Sequence, residues 1–535
     1  MSLRDGRYKA AGAPSLAPGW SLERMTSPSR LYGANGLRTG PDGRIYVAQV
    51  TGSQISAFDL GSGELAVISP QGGDIVSPDD LAFDARGNLY ATEVMEGRVS
   101  VRGVDGRTRV LRDDLPCANG ITVHEGRLFV NECRVGGRLM ELDLDGGAPR
   151  VLLQDIPMPN AMEVGPDGLL YFPVMAIGEI WRIKLQGGAP EKVAGDLVYP
   201  DAVKFDSKGR IVSTQAATGE VVRIDPRSGE RSVLAKLDPG LDNCTFVGDR
   251  LFVSHFTGQI TEVLGGAEIR TVLPGGLSWP LDLTVSADGN LYVADGTHLF
   301  QLLPGGRLRT VGMMFSPGYP GNVRGLTAAS AGEFVATNTN GQVSRYRPER
   351  MENEVLAEGL DPQLYGVAVA PGGAVVVAEL GAGRVSSIES GKVKALASGL
   401  REPMGVAFGP DGACLVSEAG AGRVVELTRS GGVESLVDGL ERPQGIAVRD
   451  GQLYVLDAGA KALIAFDLKS KKRSTIARDL PVGPPLGVTP KPLRGMPPFT
   501  GPQGPFAGIA AGPDGTLYVS ADGEGSVLAL RKAQA

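Results

Sequence analysis

The chain repeats one short phrase along most of its length, and this periodicity constrains its fold more than any other feature. Each copy joins a short apolar segment to a turn rich in Asp and Gly, and then to a β-branched or aromatic segment. Copies begin, for example, at Asn35 (NGLRTGPDGRIYVAQ), Asp79 (DDLAFDARGNLYATE), Asp201 (DAVKFDSKGRIVSTQ) and Met404 (MGVAFGPDGACLVSE). A DG or GG turn between two such segments indicates a β-hairpin.

The copies recur about every forty residues, which is the spacing of one propeller blade. Two further strand-like segments follow each hairpin, so that each repeat supplies four antiparallel strands. About twelve copies are present, whereas known propellers usually close with four to eight blades. We therefore predict an all-β fold of two tandem six-bladed β-propellers, with domains at residues 1–265 and 266–535.

The two ends of the chain predict how the rings close. The last copy ends after its third strand (GSVLALRKAQA), so another segment must complete its blade. Closure is favoured because it pairs strand edges that would otherwise be exposed. We expect residues 267–273 (AEIRTVL) to complete the second ring and residues 19–25 (GWSLERM) to complete the first.

A proline-rich insertion at residues 482–505 delays the last blade by about twenty residues. Its proline content argues against regular strands or helices and indicates an extended loop. Such a loop is either a tolerated surface insertion, because loop length costs little free energy, or a lid over the second ring.

Composition narrows the function classes. The 535-residue chain has a formal net charge of −7, which disfavours a nucleic-acid partner because such proteins usually carry a basic face. Its four cysteines show no CxxC spacing, which fits a reducing compartment. The N-terminus lacks the apolar core of a signal peptide, and no stretch approaches the ~20 apolar residues that span a bilayer. We predict a cytoplasmic protein without a membrane partner, acting on a small-molecule substrate.

The first residue of each repeat is predicted to lie where the central channel of its propeller opens, and we call these twelve positions the mouth residues. In the first half they are Asn35, Asp79, Asn119, Asn160, Asp201 and Asp242. In the second half they are Leu281, Arg324, Tyr365, Met404, Gln444 and Ala507.

Two interpretations of the first set remain open. Asn and Asp start turns well because their side chains bond nearby backbone amides. However, the second half keeps the same strand and turn without Asn or Asp at this position, although Asp282 lies one place after Leu281. This contrast favours a ring of ligands. Converging carboxylates need a compensating cation, and oxygen donors suit Ca²⁺ first and Mg²⁺ or Mn²⁺ next.

A second circle is predicted from the residues that end the second strand of each repeat. These lie farther from the axis on the same face and could orient water or substrate: Gln49, Glu93, Glu132, Gln215 and His255. His255 titrates near neutrality, so that it could either shuttle a proton or simply hold hydrogen bonds. Cys117 and Cys133 approach the same mouth, and because no basic neighbour or helix is evident, packing is the favoured role for both.

Residues 20–265 resemble the senescence-marker-protein/gluconolactonase/luciferin-regenerating-enzyme family of six-bladed propellers, and the second half resembles NHL and streptogramin-lyase repeats. The family's metal-binding pattern of Glu, Asn, Asn and Asp falls here on Asn35, Asn119, Asn160 and Asp201. The resemblance therefore implies a divalent cation held by these four residues and no other cofactor. Sugar-lactonase members carry an Arg where this chain has Cys117, which implies a less polar lactone or ester.

By analogy with the family, Asp201 would accept a proton from the attacking water, with His255 and Glu132 as further catalytic candidates. Asp79 and Asp242, together with Glu93, Gln215 and Gln49, would contact substrate or the ligands. The sequence thus predicts a metal-dependent hydrolase of a lactone or related ester. Two alternatives are a metal-assisted lyase with His255 as base and a non-enzymatic binding scaffold.

Overall fold

A computed structural model describes residues 6–8, 12–330, 332–428, 432–497 and 499–533. The chain divides into two compact units. The N-terminal unit comprises Leu31–Ser278 together with Thr489–Met496. The C-terminal unit comprises Trp279–Val488, the described residues from Pro497 onward, and the described residues before Leu31.

The first two strands, β1 (Ser15–Leu16) and β2 (Trp20–Arg24), belong to the C-terminal unit. The described part of the N-terminal unit folds into six antiparallel sheets of four strands each, N1 to N6. In chain order, their strands are as follows: N1, β3 Leu37–Thr39, β4 Ile45–Gln49, β5 Gln54–Phe58 and β6 Leu65–Ser69; N2, β7 Pro78–Phe83, β8 Leu89–Glu93, β9 Arg98–Arg102 and β10 Thr108–Arg112; N3, β11 Ala118–His124, β12 Arg127–Glu132, β13 Val135–Leu142 and β14 Arg150–Pro157; N4, β15 Glu163–Val164, β16 Leu169–Val174, β17 Glu179–Lys184 and β18 Glu191–Ala194; N5, β19 Lys204–Phe205, β20 Ile211–Thr214, β21 Glu220–Ile224 and β22 Arg231–Lys236; N6, β23 Leu241–Val247, β24 Arg250–His255, β25 Ile260–Gly265 and β26 Glu268–Leu273.

The described residues of the C-terminal unit likewise form six antiparallel sheets, C1 to C6. Their strands are as follows: C1, β27 Leu283–Val285, β28 Leu291–Asp295, β29 His298–Leu303 and β30 Arg307–Met313; C2, β31 Val323–Ser330, β32 Glu333–Asn338, β33 Val343–Arg347 and β34 Glu352–Ala357; C3, β35 Leu364–Val369, β36 Val375–Glu379, β37 Arg384–Glu389 and β38 Lys392–Ser398; C4, β39 Pro403–Phe408, β40 Cys414–Glu418, β41 Arg423–Leu427 and β42 Val433–Val437; C5, β43 Pro443–Arg449, β44 Gln452–Asp457, β45 Ala462–Asp467, β46 Arg473–Arg478 and β1; C6, β47 Ile509–Ala511, β48 Leu517–Ala521, β49 Ser526–Lys532 and β2. Short 3-10 helices occupy Met175–Ile177, Pro304–Gly306 and Pro348–Arg350.

The repeated turn explains why each hairpin forms where the sequence predicts it. In sheet N1, Gly43 adopts a φ of 77°, a left-handed conformation that favours glycine, while the Asp42 carboxylate accepts the backbone N–H of Arg44 at 3.1 Å. The following strand, β4 (Ile45–Gln49), is buried along its whole length. The predicted all-β class of four-stranded antiparallel sheets is confirmed.

Successive sheets of the N-terminal unit are joined by hydrogen bonds near the mouth residues. The donor and acceptor pairs, in order from N1 to N6 and back to N1, are Gly36 N to Asp79 O (2.7 Å), Thr92 Oγ1 to Asn119 O (2.6 Å), Asn131 Nδ2 to Asn160 O (2.7 Å), Val203 N to Ala161 O (3.0 Å), Thr214 Oγ1 to Asp242 O, and Ser254 Oγ to Asn35 O (2.6 Å). Each sheet is thus bonded to the next, and N6 is bonded to N1.

The C-terminal unit uses comparable links. The side chain of Thr337 in sheet C2 donates to Tyr365 O at 2.9 Å, and Ser417 in sheet C4 donates to Gln444 O at 2.6 Å. Gly508 N in sheet C6 donates to Leu281 O at 3.1 Å, which joins the last sheet to the first.

The predicted partners of the two closing segments are wrong. The segment expected to complete the first ring pairs in the C-terminal unit, and the segment expected to complete the second ring pairs in the N-terminal unit. Strand β2 (Trp20–Arg24) pairs with β49 (Ser526–Lys532), so the N-terminal segment completes the last sheet of the chain. Strand β26 (Glu268–Leu273) pairs with β25 (Ile260–Gly265) and completes sheet N6. The reason lies in the tight turn between these two strands, where Gly266 and Ala267 have φ values of 60° and 67°. Positive φ at both central residues is the geometry of a hairpin, so the predicted boundary at 265/266 falls inside a hairpin and the unit ends at Ser278.

The proline-rich insertion is divided between the units. Its Thr489–Met496 portion belongs to the N-terminal unit, where Arg494 pairs with Glu96 at 3.2 Å. Its later portion packs within the C-terminal unit. There Thr500 is fully buried and bonds to Thr339 at 2.7 Å.

We expect the glycine that follows many mouth residues to be required by the close approach of neighbouring inner strands. A Cβ on Gly366 would lie 2.6 Å from Met404 O in the next sheet, whereas a Cβ on Gly372, in the turn of the same sheet, meets nothing within 4 Å. Gly366→Ala should lower the free energy of unfolding by about 1–3 kcal/mol, the usual cost of overpacking. Gly372→Ala is the control and should change it by less than about 0.5 kcal/mol. Urea denaturation measures both, and equal effects of the two substitutions would contradict the prediction.

Candidate functional site

The mouth residues of the two units occupy the same backbone register. The N–H of Asn35 donates to Ala48 O at 2.9 Å and that of Asp201 donates to Thr214 O at 2.9 Å. In the C-terminal unit the N–H of Leu281 donates in the same way to Ala294 O at 2.8 Å. Leu281 is therefore the counterpart of Asn35, and Asp282 lies one position beyond it.

Three mouth carboxyls of the N-terminal unit are brought together in buried surroundings. Asp79, Asp201 and Asp242 are 9, 5 and 6% exposed. Burial raises the pKa of Asp242 to about 7, with Asp80 raising it further and a hydrogen bond from Asn35 opposing the shift. Burial also raises the pKa of Asp79 and of Asp201, and repulsion from Asp242 adds to both shifts. Folding therefore favours the protonated forms of these carboxyls unless a cation compensates their charge.

Two of the predicted ligands orient these carboxyls through their amide N–H groups. Asn35 Nδ2 donates to Asp242 Oδ2 at 2.9 Å, and Asn160 Nδ2 donates to Asp201 Oδ2 at 3.1 Å. Their Oδ1 atoms accept backbone N–H groups, from Val50 at 3.2 Å and from Ala161 at 2.7 Å respectively. Because a backbone N–H requires an acceptor, these contacts fix which atom of each amide is oxygen. In this arrangement the oxygens of Asn35 and Asn160 are thus already engaged by the backbone.

The amide oxygen of Asn119 differs in its contacts from those of Asn35 and Asn160. It is 8% exposed, and its Oδ1 is a buried atom for which the described residues provide no hydrogen-bond partner. A buried acceptor without a partner is uncommon in proteins and requires an explanation. Asn119 lies in sheet N3, between sheets N2 and N4 that carry Asp79 and Asn160.

The donor set fits a hard cation, since it consists of carboxylate and amide oxygens. Within the described ranges, no group of three or more His, Cys, Asp or Glu side chains is arranged to hold a metal ion. A cation would therefore depend on the amide oxygen of Asn119 and on water as well as on the carboxylates.

The predicted second circle tethers loops in both units. Gln49 Oε1 accepts the N–H of Tyr32 at 2.9 Å, and Gln215 Oε1 accepts that of Val198 at 3.0 Å. Corresponding residues of the C-terminal unit do the same, as when Asp295 accepts the N–H of Trp279 at 2.6 Å. This contact also occurs in the C-terminal unit, whose mouth residues carry no carboxyl groups. We therefore assign it to the stability of the fold.

Glu93 and Glu132 belong to ion pairs at the same position. Glu93 bonds to Arg98 at 2.6 Å and to the N–H of Val76 at 2.5 Å, while burial raises its pKa. Glu132, fully buried, bonds to Arg138 and at 3.1 Å to Arg134. Both carboxylates are therefore occupied by cations of their own sheet, and the catalytic role predicted for Glu132 finds no contact with the carboxyl cluster among the interactions of the described residues.

His255 has both ring nitrogens engaged. Nε2 lies 2.8 Å from Pro239 O, a carbonyl that can only accept, so Nε2 carries the proton. Nδ1 accepts the N–H of Thr257 at 3.1 Å. Burial lowers the pKa of His255, which keeps the ring neutral. These contacts favour the hydrogen-bonding interpretation over proton shuttling.

The two thiols at this mouth are protonated. Burial raises the pKa of Cys117 to about 11. Burial raises the pKa of Cys133 as well, and Asp201 and Asp79 raise it further, which places this thiol near the carboxyl cluster. Cys133 Sγ also lies 4.0 Å from Met175 Sδ, which accepts Asn160 Nδ2 at 3.0 Å. The packing role favoured for the cysteines agrees with these contacts.

A charged bridge that sequence reasoning missed lies three residues after the mouth residues. Arg38 Nη1 bonds to Glu163 at 2.8 Å, and Lys204 Nζ bonds to the same oxygen at 3.2 Å. Arg38 also donates to Leu81 O at 2.7 Å and to Ile121 O at 3.0 Å, so its side chain contacts sheets N2, N3 and N4 from sheet N1. The signal was available, because charged residues occur at the fourth position of the repeats only in the first half: Arg38, Glu163 and Lys204.

The mouth residues of the C-terminal unit make a different environment. Arg324 is 1% exposed, and it donates to Pro502 O at 2.6 Å and lies 4.4 Å from the Tyr365 ring centre. Burial lowers its pKa. The nearest equivalent of the acidic cluster is Asp282, whose pKa burial raises to about 7, but its oxygens accept the N–H groups of Leu283 and Leu326 at 2.9 Å each.

The described chain is an all-β protein built from repeated four-stranded antiparallel sheets. No family model matches it, and no match is found among curated proteins. Solved structures similar to it include a streptogramin B lyase, with 18% identity over 51% of this chain and 94% of that chain and a TM-score of 0.38. A gluconolactonase from Xanthomonas campestris has 17% identity over 46% of this chain and 93% of that chain, with a TM-score of 0.38. A nidogen–laminin complex has 24% identity over 37% of this chain and 78% of that chain, with a TM-score of 0.34. At these TM-scores the similarities define no function for this chain.

A search of the described residues for a helix long and apolar enough to cross a membrane finds none.

We predict that the carboxyl cluster makes the metal-free protein less stable as pH rises. A carboxyl whose folded pKa exceeds its unfolded pKa stabilises the folded state at low pH, and this contribution is lost as pH rises through the folded value. For Asp242 the window runs from the ordinary aspartate pKa of 3.8 to the folded pKa of about 7. In the presence of a chelator, the denaturant concentration at the unfolding midpoint should therefore decrease as the pH is raised from 4 to 8. Asp242→Asn should make this decrease smaller. Denaturant titrations at several pH values measure the effect, and an unchanged slope in Asp242→Asn would contradict it.

Proposed function

We propose that each unit is a six-bladed propeller whose blades are the six sheets described above. The support is the order of contacts. In the N-terminal unit each sheet bonds to the next at its inner strand, and Ser254 of the last sheet bonds to Asn35 of the first. In the C-terminal unit, pairing of β2 with β49 supplies the fourth strand of the last sheet from the other end of the chain.

We infer that the N-terminal unit is a divalent-metal-dependent hydrolase that opens a lactone or related ester. The observation that carries this proposal is the convergence of three buried carboxyls of raised pKa with one buried amide oxygen, Asn119 Oδ1, that has no partner among the described residues. A divalent cation would compensate the carboxylate charges and give that oxygen a partner. Ca²⁺ is the first candidate, and Mg²⁺ or Mn²⁺ follow.

The cation would be held by Asn119, by Asp201 together with one of its neighbours Asp79 and Asp242, and by water, because no three acidic side chains among the described residues are arranged to hold a metal ion. When bound, such an ion polarises a carbonyl oxygen and lowers the pKa of a bound water. Asn160 and Asn35 keep Asp201 and Asp242 oriented through the hydrogen bonds described above.

Asp201 would act as the base. The water oxygen bonds to the carbonyl carbon while Asp201 accepts the water proton, and the ring C–O bond then breaks. The leaving alkoxide takes that proton, so the product is a hydroxy acid equal to the substrate plus one water. The proton thus ends on the new hydroxyl, and Asp201 returns to its starting state.

The two alternative functions are less well supported. A lyase of the kind considered from the sequence would use His255 to remove a carbon-bound proton, but both of its ring nitrogens bond to its own sheet and loop. A binding scaffold fits the C-terminal unit better, where Arg324 lies over the Tyr365 ring and donates to the insertion carbonyl of Pro502.

Calorimetric titration of the full chain with Ca²⁺ tests the proposal. Asp201→Asn and Asn119→Ala should each weaken Ca²⁺ binding at least tenfold, because each removes a donor oxygen from a buried site. Asp282→Asn is the matched control, since it neutralises a carboxyl of similarly raised pKa in the C-terminal unit and should leave binding unchanged. An absence of Ca²⁺, Mg²⁺ and Mn²⁺ binding, or equal affinities in all three variants, would reject the metal site. Product mass then separates hydrolysis, which adds one water, from elimination, which adds no mass.

A further inference from the structure

Three large apolar side chains are exposed on one side of the N-terminal unit, at the strand ends that carry its mouth residues. Val135, Ile177 and Val198 are 70, 47 and 44% exposed. Val135 begins the third strand of sheet N3, Ile177 follows the second strand of sheet N4, and Val198 precedes sheet N5. In the corresponding loops of sheets N1 and N2, by contrast, Val50 and Met95 are 7 and 5% exposed.

The loops that carry these residues are consecutive and tied together. Val135 pairs with Pro157, and the next residue, Met158, donates to Arg134 O at 3.1 Å. The N–H of Met175 then donates to Met158 O at 2.9 Å, and the N–H of Leu197 donates to Gly178 O at 3.0 Å. The loops that carry the exposed side chains are therefore bonded in series, and these side chains lie along an arc that spans three neighbouring sheets.

Two buried apolar groups connect this arc to the carboxyl cluster. Met175, two residues before Ile177, places its sulfur 3.0 Å from the Asn160 amide that holds Asp201. Cys133, two residues before Val135, lies 4.0 Å from that sulfur. The guanidinium of Arg134, in the same loop, is directed to Glu132 at 3.1 Å. We call Cys133, Met175, Val135, Ile177 and Val198 the apolar wall.

We propose that the apolar wall binds the hydrocarbon part of the substrate, so that the preferred substrates are lactones or esters bearing an alkyl chain. This inference rests on the hydrolase proposed above, because it assigns the neighbouring carboxyl cluster to the reacting carbonyl. The exposed arc loses contact with water when an alkyl chain covers it, which is favourable in proportion to the apolar area removed from water. A polyhydroxylated ring gains little there, since the exposed side chains of Val135, Ile177 and Val198 offer it only methyl and methylene groups.

Chain-length dependence tests the proposal. The Ca²⁺-loaded full chain is assayed with a series of γ-lactones from γ-butyrolactone to γ-nonalactone. We expect kcat/KM to rise roughly fourfold for each added methylene group until the wall is covered. The double variant Val135→Thr/Ile177→Thr keeps the β-branched shapes, and it should flatten this rise of kcat/KM with chain length.

A matched control is available on the outer strands of the same unit. Val233 and Ile269, 57 and 45% exposed, lie on β22 and β26. Val233→Thr/Ile269→Thr should therefore leave the chain-length dependence as in the parent protein. Equal flattening by both double variants, or no rise with chain length in the parent, overturns the proposal.

Calorimetry with γ-nonalactam, a probe that is not readily hydrolysed, separates failure of the wall from failure of the hydrolase. Lactam binding that weakens in Val135→Thr/Ile177→Thr but not in the control supports the wall even if no lactone is turned over. Lactone turnover that is independent of chain length, without lactam binding, rejects the wall while the hydrolase stands. An absence of both rejects the wall as well as the hydrolase.

Discussion

One hydrogen-bonding arrangement, which recurs in several sheets of both units, sets the geometry at the mouth residues. In these sheets a Ser, Thr or Asn at or next to the end of the second strand accepts a backbone N–H from its own sheet and donates to a mouth carbonyl of the next. Ser254 accepts the N–H of Asn243 at 2.9 Å and donates to Asn35 O at 2.6 Å. Ser417 in the C-terminal unit bonds in the same way to Gly405 N and Gln444 O. Because both partners are backbone atoms, the mouth side chains take no part in the link and are free to differ between units.

This freedom makes the two halves of the chain a control for each other. The glutamates that end second strands form equivalent ion pairs with an arginine of their own sheet in both units. Glu93 pairs with Arg98, and Glu379 pairs with Arg384. Their recurrence assigns them to the fold. Asp201 and Asp242, by contrast, have no acidic counterparts at the mouth positions Gln444 and Ala507. A polar side chain that occurs at a position in one unit but not at the equivalent position in the other is not required by the fold. It is therefore a better indicator of chemistry than polarity alone.

The sequence was sufficient to predict the features that depend on local pattern. The four-stranded repeats, their turns and the need of the last sheet for a borrowed strand all follow from periodicity and from residues such as Gly43. Pairing over long separations could not be read in the same way, because β2 and β26 are both plausible partners for an incomplete sheet. Only the hairpin formed at Gly266 and Ala267 distinguishes them. The roles of Asn35 and Asn160 were equally inaccessible, since whether an amide offers oxygen or nitrogen depends on the neighbouring backbone N–H.

The charged bridge and the carboxyl cluster are best understood as parts of one site. Burial lowers the pKa of Arg38, but Glu163 and Asp80 outweigh that effect and raise it. With Lys204 also bonded to Glu163, the bridge carries one more positive than negative charge, three residues from a cluster that repels itself. Asp80 interacts with both groups, because it raises the pKa of Arg38 and also raises the pKa values of Asp79, Asp201 and Asp242. The positive charge of the bridge therefore faces Asp80, and the mouth carboxyls still need a cation of their own. The fourth positions of the C-terminal repeats are uncharged, namely Thr284, Thr327, Ala368, Ala407, Ala447 and Ala510. Both charge layers therefore occur in the same unit, which is expected if the bridge supports the acidic cluster and is not required by the fold.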